Sequence, residues 1–293
     1  MTTNKIICGD CLEVMKDWPD NCVDLVFCSP PYEDARLYDI DFKIKGQDWV
    51  DWALCRFMEC VRVCRGLVCW VVEGKTRQFR WSATPILLMA DLHRSGINLR
   101  KPPAFHRSGI PGSGGPDWLR NDYEFIICAT KSGRLPWSDN VAMGLPCKYK
   151  IGGEMSNRTQ DGRRRNKRTG IRLKRKTPSQ TQRTNGEKGN PGYTKPDKAN
   201  PGNIIRCKVG GGNMGSKLAH ENEAPFPEYL AEFFIKSFCP PDGIALDCFS
   251  GSGTTAAKAE ELGRKWIAID VRQSQCDLTK NRIKQTTQQR NLF

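Results

Sequence analysis

The tetrapeptide Ser29-Pro30-Pro31-Tyr32 is the part of the sequence best suited to chemistry. It follows the β-rich apolar run Val23–Cys28, which predicts a buried strand whose end lies where ligands bind in α/β sheets. The prolines contribute no N–H donors, so the turn offers acceptors, namely the Ser29 hydroxyl and the carbonyls of Ser29 and Pro30. A rigid group of acceptors suits an incoming NH2 group, and Tyr32 offers an aromatic face for the ring that carries it.

Such a turn would help an amine to react as a nucleophile. Two acceptors bonded to the NH2 hydrogens can draw the nitrogen toward tetrahedral geometry and free its lone pair for attack on an electrophilic methyl group. The alternative is a Pro-Pro turn that only ends a strand and is followed by a surface tyrosine.

A second candidate site is the segment 244–255, which predicts a buried strand, a glycine turn and the start of a helix. Asp270 ends the next apolar strand. This layout binds a nucleoside, because Gly251 and Gly253 let the backbone approach the ligand and the acid accepts hydrogen bonds from ribose. A dinucleotide fingerprint tolerates Ala256 at its third glycine position, so an NAD-linked oxidoreductase stays open, as does a glycine turn without ligand. The position of the loop near the C-terminus argues against NAD.

Together the two motifs resemble those of the DNA amino-methyltransferases, which carry an Asp/Asn/Ser-Pro-Pro-Tyr/Phe turn and a Phe-x-Gly-x-Gly cofactor loop. The order found here, with the turn first and the loop last, is similar to the β group of that family. The resemblance covers most of the chain outside residues 136–215. It implies methyl transfer from S-adenosylmethionine to the exocyclic amino group of a flipped-out DNA base, with Ser29, Pro30, Pro31 and Tyr32 as catalytic residues.

Further segments match the cofactor site of that family. Residues 7–12 match a segment whose acid contacts the cofactor adenine, residues 223–227 resemble one beside the methionine part, and Asp270 stands where the family usually has a ribose-binding Glu. The resemblance therefore implies that the cofactor contacts Asp10, Cys11, Leu12, Ser29, Pro225, Phe226, Asp247, Phe249, Ser250, Gly251, Gly253, Thr254, Thr255 and Asp270.

The positive charge of the chain is concentrated in one segment. The formal net charge is +14, and residues 148–208 alone carry 18 Lys and Arg against 4 Asp and Glu, so the rest of the chain is neutral. Such a segment suits double-stranded DNA as partner, and a solvated loop or a localisation tract is the alternative. The predicted DNA-binding residues are Arg163, Arg164, Arg165, Lys167, Arg168, Arg172, Lys174, Arg175 and Lys176.

Strand-like and helix-like runs alternate on both sides of this segment, which predicts a doubly wound, mostly parallel α/β sheet of the Rossmann-like methyltransferase type. Strands are predicted at 4–8, 23–28, 66–73, 97–105, 124–129, 243–248 and 266–269, and helices at 48–63, 85–93, 227–238 and 255–262, with a polar helix-like stretch through Lys16. We predict a catalytic half at 1–135, a basic, loop-rich target-recognition insert at 136–215 and a cofactor-binding half at 216–293.

Other functions remain as alternatives. One alternative is a methyltransferase of RNA or of protein amides, because Pro-Pro-Tyr turns also serve those enzymes. Another is a DNA-binding module without activity, which would be expected to lose one of the motifs, whereas both are intact here. A ring-carbon methyltransferase needs a nucleophilic Cys, but neither Cys147 nor Cys239 follows a catalytic-type strand. Ser at the first position of the turn is commonest in cytosine enzymes of the family, although adenine enzymes also have it, so the base stays open.

The remaining expectations concern location and partners. There is no signal peptide and no membrane span, and the fourteen cysteines read mostly as reduced core residues of a cytoplasmic, nucleoid-associated protein of bacterial or phage origin. Cys8 and Cys11 have zinc-like spacing without a matching pair, so no metal is expected. By resemblance the chain pairs as a homodimer. It is either an orphan modifier or the partner of a separate restriction enzyme.

Overall fold

The computed structural model describes residues 2–34, 42–109, 115–147, 198–210, 214, 216–221 and 225–290. The chain divides into two compact units, one of Met1–Ala142 with Gly202–Phe293 and one of Met143–Pro201. In the second unit a bridge joins Pro146 to Lys198, and the amide N–H of Ala199 donates to the carbonyl of Leu145. The predicted insert boundaries stay a prediction.

The first unit contains a nine-stranded sheet in the order β1-β11-β10-β2-β3-β8-β7-β9, with β6 paired to β8. The strands β4 and β5 form a separate hairpin. Within the described residues the strands are β1 (Lys5–Cys8), β2 (Val23–Cys28), β3 (Cys64–Val72), β4 (Thr76–Arg77), β5 (Arg80–Trp81), β6 (Asn98–Leu99), β7 (Ala104–Ser108), β8 (Tyr123–Thr130), β9 (Ile204–Lys208), β10 (Ile244–Asp247) and β11 (Lys265–Asp270).

The strand directions bring the predicted motifs to one edge. Strands β1, β11, β10, β2 and β3 are mutually parallel, whereas β8 runs antiparallel to β3, β6 and β7. Cys8 lies beside Asp270 in the register of β1 and β11, and Leu246 lies beside Val26 in that of β10 and β2. The segments that follow these four strands therefore meet at the same edge of the sheet.

Helices cover the sheet. They are α1 (Cys11–Met15), α2 (Gln47–Val63), α3 (Thr84–Arg94), α4 (Glu228–Phe238), α5 (Thr254–Glu261) and α6 (Gln273–Arg290), with a short 3-10 helix at Lys217–Glu221. Every residue of β2 is buried, as expected for a central parallel strand with both faces covered. On α2 the buried residues Trp49, Ala53, Phe57 and Cys60 recur at helical spacing and form one face of the core. No helix in the described ranges is long and apolar enough to cross a membrane.

The structure confirms the doubly wound, mostly parallel architecture, corrects two predictions and adds one helix. The predicted strand at 97–105 is two strands, β6 and β7, because Pro102 and Pro103 interrupt the ladder. Strand β9 lies inside a segment expected to be loop-rich, where it pairs with β7. Helix α6 was not predicted at all. Of the fourteen cysteines, all free thiols, ten are buried, which agrees with their prediction as core residues.

Candidate active site

The single proton of the Ser29 hydroxyl is already used in a hydrogen bond within the protein. Its Oγ donates to the carbonyl oxygen of Val71 at 3.0 Å, at the end of the neighbouring strand β3. A hydroxyl has only one proton, so the lone pairs of this oxygen stay available for an incoming donor. Because β2 pairs with β3, the Ser29 oxygen is oriented so that it can accept a hydrogen bond from a ligand.

The second proline of the turn, Pro31, is held by a side chain of α2. The indole Nε1 of Trp49 donates to the carbonyl oxygen of Pro31 at 2.9 Å. Trp49 is fully buried, so this bond fixes the turn against the core. The carboxylate of Glu33 then accepts from the backbone N–H of Gly46 at 3.0 Å and of Lys75 at 3.2 Å. The turn at Ser29–Tyr32 is therefore anchored to the start of α2 and to the segment after β3.

Tyr32 is anchored through its phenol. The Oη of Tyr32 donates to Oε2 of Glu124 on β8 at 2.7 Å, and Nη1 of Arg107 on β7 lies 3.1 Å from Oε1 of the same carboxylate. Burial raises the pKa of Glu124, while Arg107 and the Tyr32 hydroxyl oppose that rise. The ring of Tyr32 is half-buried, and its direction is set by two strands distant in sequence.

The glycine loop follows β10. Oδ1 of Asp247 accepts from the backbone N–H of Phe249 at 3.1 Å, and Gly251 and Gly253 take left-handed φ values of 48° and 75° before α5 begins. A Cβ on Gly253 would lie 2.6 Å from Cγ2 of Thr279. Both glycines are thus required by conformation, and Gly253 also by the close approach of α6.

Two acids flank the loop. Oδ2 of Asp270 accepts from the backbone N–H of Gly251 at 2.9 Å, and Oδ1 accepts from that of Arg272 at 3.0 Å. Asp10 caps α1 by accepting from the N–H of Leu12 at 2.8 Å, and its other oxygen takes Nη2 of Arg56 at 2.5 Å. Each carboxylate oxygen has a second lone pair that these bonds leave for a ligand.

A cavity at this edge of the sheet joins the turn, the loop and both acids. Eleven of the sequence-predicted catalytic and cofactor residues line it: Asp10, Cys11, Ser29, Pro31, Pro225, Phe226, Phe249, Ser250, Gly251, Thr254 and Asp270. The other predicted residues, Leu12, Pro30, Tyr32, Asp247, Gly253 and Thr255, do not line it. The Thr255 hydroxyl instead donates to the carbonyl of Phe27 at 3.1 Å.

Sequence reasoning missed several lining residues, namely Phe42, Trp52, Arg56, Cys248, Ser252, Val271 and Arg272. Arg56 stacks on Trp52 with 4.5 Å between the guanidinium carbon and the ring centroid, and both lie on α2. Their i, i+4 spacing indicated only a helix face. Since Arg56 binds Asp10, 46 positions away, no local pattern could have identified it.

The lining fits a nucleoside that carries an amino acid. Aromatic rings of Phe42, Trp52, Phe226 and Phe249 can cover a purine, and the acids can accept from its amino and hydroxyl groups. The Oγ of Ser250 lines the cavity, is buried, and has no hydrogen-bond partner in the described residues. A buried polar atom without a partner is unfavourable, so a polar ligand group beside it would satisfy it.

Other predicted residues lie outside the described residues. These are the nine basic residues of the insert, Arg163, Arg164, Arg165, Lys167, Arg168, Arg172, Lys174, Arg175 and Lys176, and also residues 223 and 224. Within the part of the chain that the structure covers, no group of His, Cys, Asp and Glu side chains could hold a metal ion.

Comparison with known proteins finds similarity to DNA methyltransferases in both sequence and fold. The family model described as DNA methylase, of N6/N4 type, matches residues 23–281. The chain is 26% identical over 289 residues to the orphan methyltransferase M.BamHII of Bacillus amyloliquefaciens, in a match that covers 92% of each chain. It shares the fold of the cytosine-N4-specific PvuII DNA methyltransferase, with a TM-score of 0.66, 17% identity, and coverage of 98% of this chain and 91% of that one. TTHA0409 of Thermus thermophilus, complexed with S-adenosyl-L-methionine, matches with a TM-score of 0.55, 19% identity and coverage of 96% and 95%.

Proposed function

Since the chain belongs to the N6/N4 family of DNA methylases, we propose that it methylates the N4 atom of cytosine at a specific sequence in double-stranded DNA. The reaction is transfer of a methyl group from S-adenosylmethionine to an exocyclic amino nitrogen of a DNA base. The observation that carries the assignment of the catalytic turn is the bond from Ser29 Oγ to the Val71 carbonyl, which makes the hydroxyl an acceptor beside the cofactor cavity.

In this mechanism the catalytic turn prepares the nucleophile. The lone pair of an exocyclic amine is delocalised into the base, so the nitrogen attacks poorly while it remains planar. The Ser29 hydroxyl and the Pro30 carbonyl accept from the two amino hydrogens and favour tetrahedral geometry at the nitrogen. Because the turn is anchored by Trp49 and Glu33, these acceptors need no reorganisation during the reaction.

The target base must leave the duplex to reach this turn. Tyr32 supplies a stacking face for the extruded ring, and the hydrogen bond from its phenol to Glu124 limits rotation of that face. The ring and the two acceptors together fix the amino group in position for attack.

S-adenosylmethionine, when bound, supplies the electrophilic methyl group. Asp10 and the aromatic residues of the cavity would hold its adenine, Asp270 its ribose, and Ser250 with the loop amides its amino-acid end. Ser29 and Pro31 line the same cavity as Gly251 and Asp270, so the turn and the cofactor site are contiguous.

One feature supports cytosine as the base. Ser stands at the first position of the turn, and in the resembling family this residue is commonest there in cytosine enzymes. Adenine N6 is the alternative that the experiment must separate.

The remaining parts of the proposal concern partners. The basic residues of 163–176 contact DNA phosphates, which predicts binding that weakens steeply with salt. We also propose a homodimer that works in the cytoplasm, with or without a separate restriction enzyme.

The decisive experiment is methylation of unmethylated plasmid DNA by the purified protein with S-adenosylmethionine, followed by digestion to nucleosides and mass spectrometry. We expect N4-methyldeoxycytidine. N6-methyldeoxyadenosine would refute the choice of base, methyl transfer only to RNA of the same sequence would refute the substrate, and no transfer would refute the function.

A matched pair of serine variants tests the catalytic turn. We expect Ser29→Ala to slow methyl transfer about 100-fold or more while cofactor binding is retained. Ser95→Ala, an exposed serine at the end of α3, should transfer at the wild-type rate.

A further inference from the structure

The hairpin that follows β3 has a strained tip. The two residues between β4 and β5 are Gln78 and Phe79, and both have left-handed φ values, 47° and 62°. Two-residue hairpin turns with positive φ at both positions strongly prefer Asn-Gly, because other side chains are strained there. Gln-Phe is therefore a poor choice for the stability of this turn, which indicates a role for its side chains.

The side chain at the tip is an aromatic ring in solvent. Phe79 is 78% exposed, although phenylalanine is normally buried. Trp81, at the base of the hairpin, instead contacts the fold, since its indole Nε1 donates to Glu73 at 2.9 Å and its ring lies 6.2 Å from that of Phe125. The hairpin thus has a packed base and a projecting apolar tip.

The hairpin is attached to the catalytic turn. The backbone N–H of Lys75 donates to Glu33, and its Nζ donates to the carbonyl of Asp34 at 2.9 Å. Arg77 forms an ion pair with the Asp34 carboxylate. Glu33 and Asp34 directly follow Tyr32, so the base of the hairpin is attached next to the residue proposed to receive the extruded base.

The hairpin is also basic. Lys75, Arg77 and Arg80 stand within six residues, and the hairpin carries no acid of its own. Arg80 is exposed at the start of β5. Such charge attracts a phosphate backbone, and an apolar side chain among basic residues is the composition of segments that enter a base stack.

We propose that Gln78 and Phe79 form a wedge that enters the DNA when the target base leaves it. Phe79 occupies the space vacated in the base stack, and the Gln78 amide, which has both donors and an acceptor, pairs with the partner base that is left without its mate. Energy of stacking on Phe79 offsets part of the unstacking of the target base. This inference rests on the proposed action on DNA and does not depend on which base is methylated.

The test replaces the wedge by the turn that the hairpin geometry prefers. The double variant Gln78→Asn with Phe79→Gly keeps a two-residue turn of positive φ, so its melting temperature should equal or exceed that of the wild type. A second variant, Phe79→Asn, also tolerates this conformation and removes only the ring. Ile86→Ala on α3 removes a comparably apolar exposed side chain outside the hairpin and serves as control.

The substrates are two duplexes that contain the methylated site found by modification mapping. One is fully paired, and in the other the target base is mismatched and therefore already poorly stacked. In single-turnover reactions we expect both wedge variants to be slowed about tenfold or more on the paired duplex and to recover to within about twofold of wild type on the mismatched one. Ile86→Ala should match the wild type on both.

Three outcomes would overturn the wedge. Wild-type rates of both variants on the paired duplex would show that the tip is not used, and equal slowing on both duplexes would show a structural role in holding the turn. A change of oligomeric state on removal of Phe79 would instead assign the tip to contact with a second copy. Wild-type protein without activity on either duplex would refute the proposed function itself.

Discussion

The phenol of Tyr32 donates a 2.7 Å hydrogen bond to Glu124, so the proposed catalytic turn after β2 is linked directly to β8. In the sheet β3 lies between these strands, and the bond spans 92 positions of sequence. Arg107 on β7 holds the other oxygen of Glu124. Glu124 therefore orients Tyr32, and we propose it as a positioning residue for methyl transfer.

Because Tyr32 and Glu124 share one hydrogen bond, substitutions of the two residues should have coupled effects on the rate of methyl transfer. Tyr32→Phe keeps the ring and loses the anchor, so methyl transfer should slow several-fold. Glu124→Gln, which weakens the same bond, should slow it to a similar extent with an unchanged KM for S-adenosylmethionine. The double variant should be little slower than either single variant, with a coupling energy of about 1 kcal/mol. Strictly additive effects on kcat would contradict the role of Glu124 in orienting the ring.

Gly253 and Gly96 form a natural pair for a test of close packing. Their φ values are 75° and 78°, but a Cβ on Gly96 would have nothing within 4 Å, whereas one on Gly253 would meet Thr279 at 2.6 Å. Gly96→Ala should lower the free energy of unfolding by about 1 kcal/mol. Gly253→Ala should lower it by about 2 kcal/mol more and reduce cofactor affinity. Urea unfolding and calorimetric titration measure both quantities, and equal losses in the two variants would exclude the packing explanation.

Asp247 predicts a particular dependence of stability on pH. Burial raises the pKa of its carboxyl from 3.8 to about 7, and the N–H of Phe249 only partly compensates. Between about pH 4 and pH 7 the folded state keeps a proton that the unfolded chain releases, so this group makes stability fall as pH rises through that window and level off above it. In Asp247→Asn the fall should be smaller. Urea unfolding of both proteins from pH 4 to pH 8 tests this, and parallel curves would contradict it.

Arg282 supports the glycine loop through buried hydrogen bonds. This side chain of α6 is 1% exposed, donates to Glu228 at 2.6 Å and to the Thr254 hydroxyl at 2.8 Å, and also reaches Ser252 at 3.2 Å. Arg282→Met should lower the free energy of unfolding by about 3 kcal/mol, because the partners of a buried cation are left without it, and should weaken cofactor binding. Arg94→Met, which breaks an exposed pair with Asp91, should change stability by at most about 0.5 kcal/mol. A similar loss in the two variants would contradict a supporting role of Arg282.

The sequence could predict the elements whose patterns are local. Val23–Cys28 and the strands after it are apolar runs, and Pro30, Pro31, Gly251 and Gly253 restrict or permit backbone conformations in their own neighbourhood. Since parallel strands present their carboxyl ends together, these local features were enough to place the catalytic turn and the glycine loop beside one cavity.

Helix α6 shows why one element could not be predicted. Its buried residues include Gln275, Thr279 and Arg282 as well as Cys276 and Leu278, so the face that packs on the glycine loop has no apolar period. These polar side chains can be buried in the core only because the glycine loop supplies hydrogen-bond partners. The Gly251 carbonyl, for example, accepts from the Thr279 hydroxyl at 2.9 Å.

By itself the sequence determined the family of this protein and the methyl transfer that goes with it, because the residues predicted to accept an amino group and to bind a nucleoside stand in two short motifs. Only the tertiary structure decided what orients them. Val71 takes the Ser29 proton, Glu124 holds Tyr32, Arg56 holds Asp10 and Arg282 supports the loop. Each of these partners lies at least 28 positions away along the chain, and such contacts arise from the packing of the sheet rather than from any local spacing.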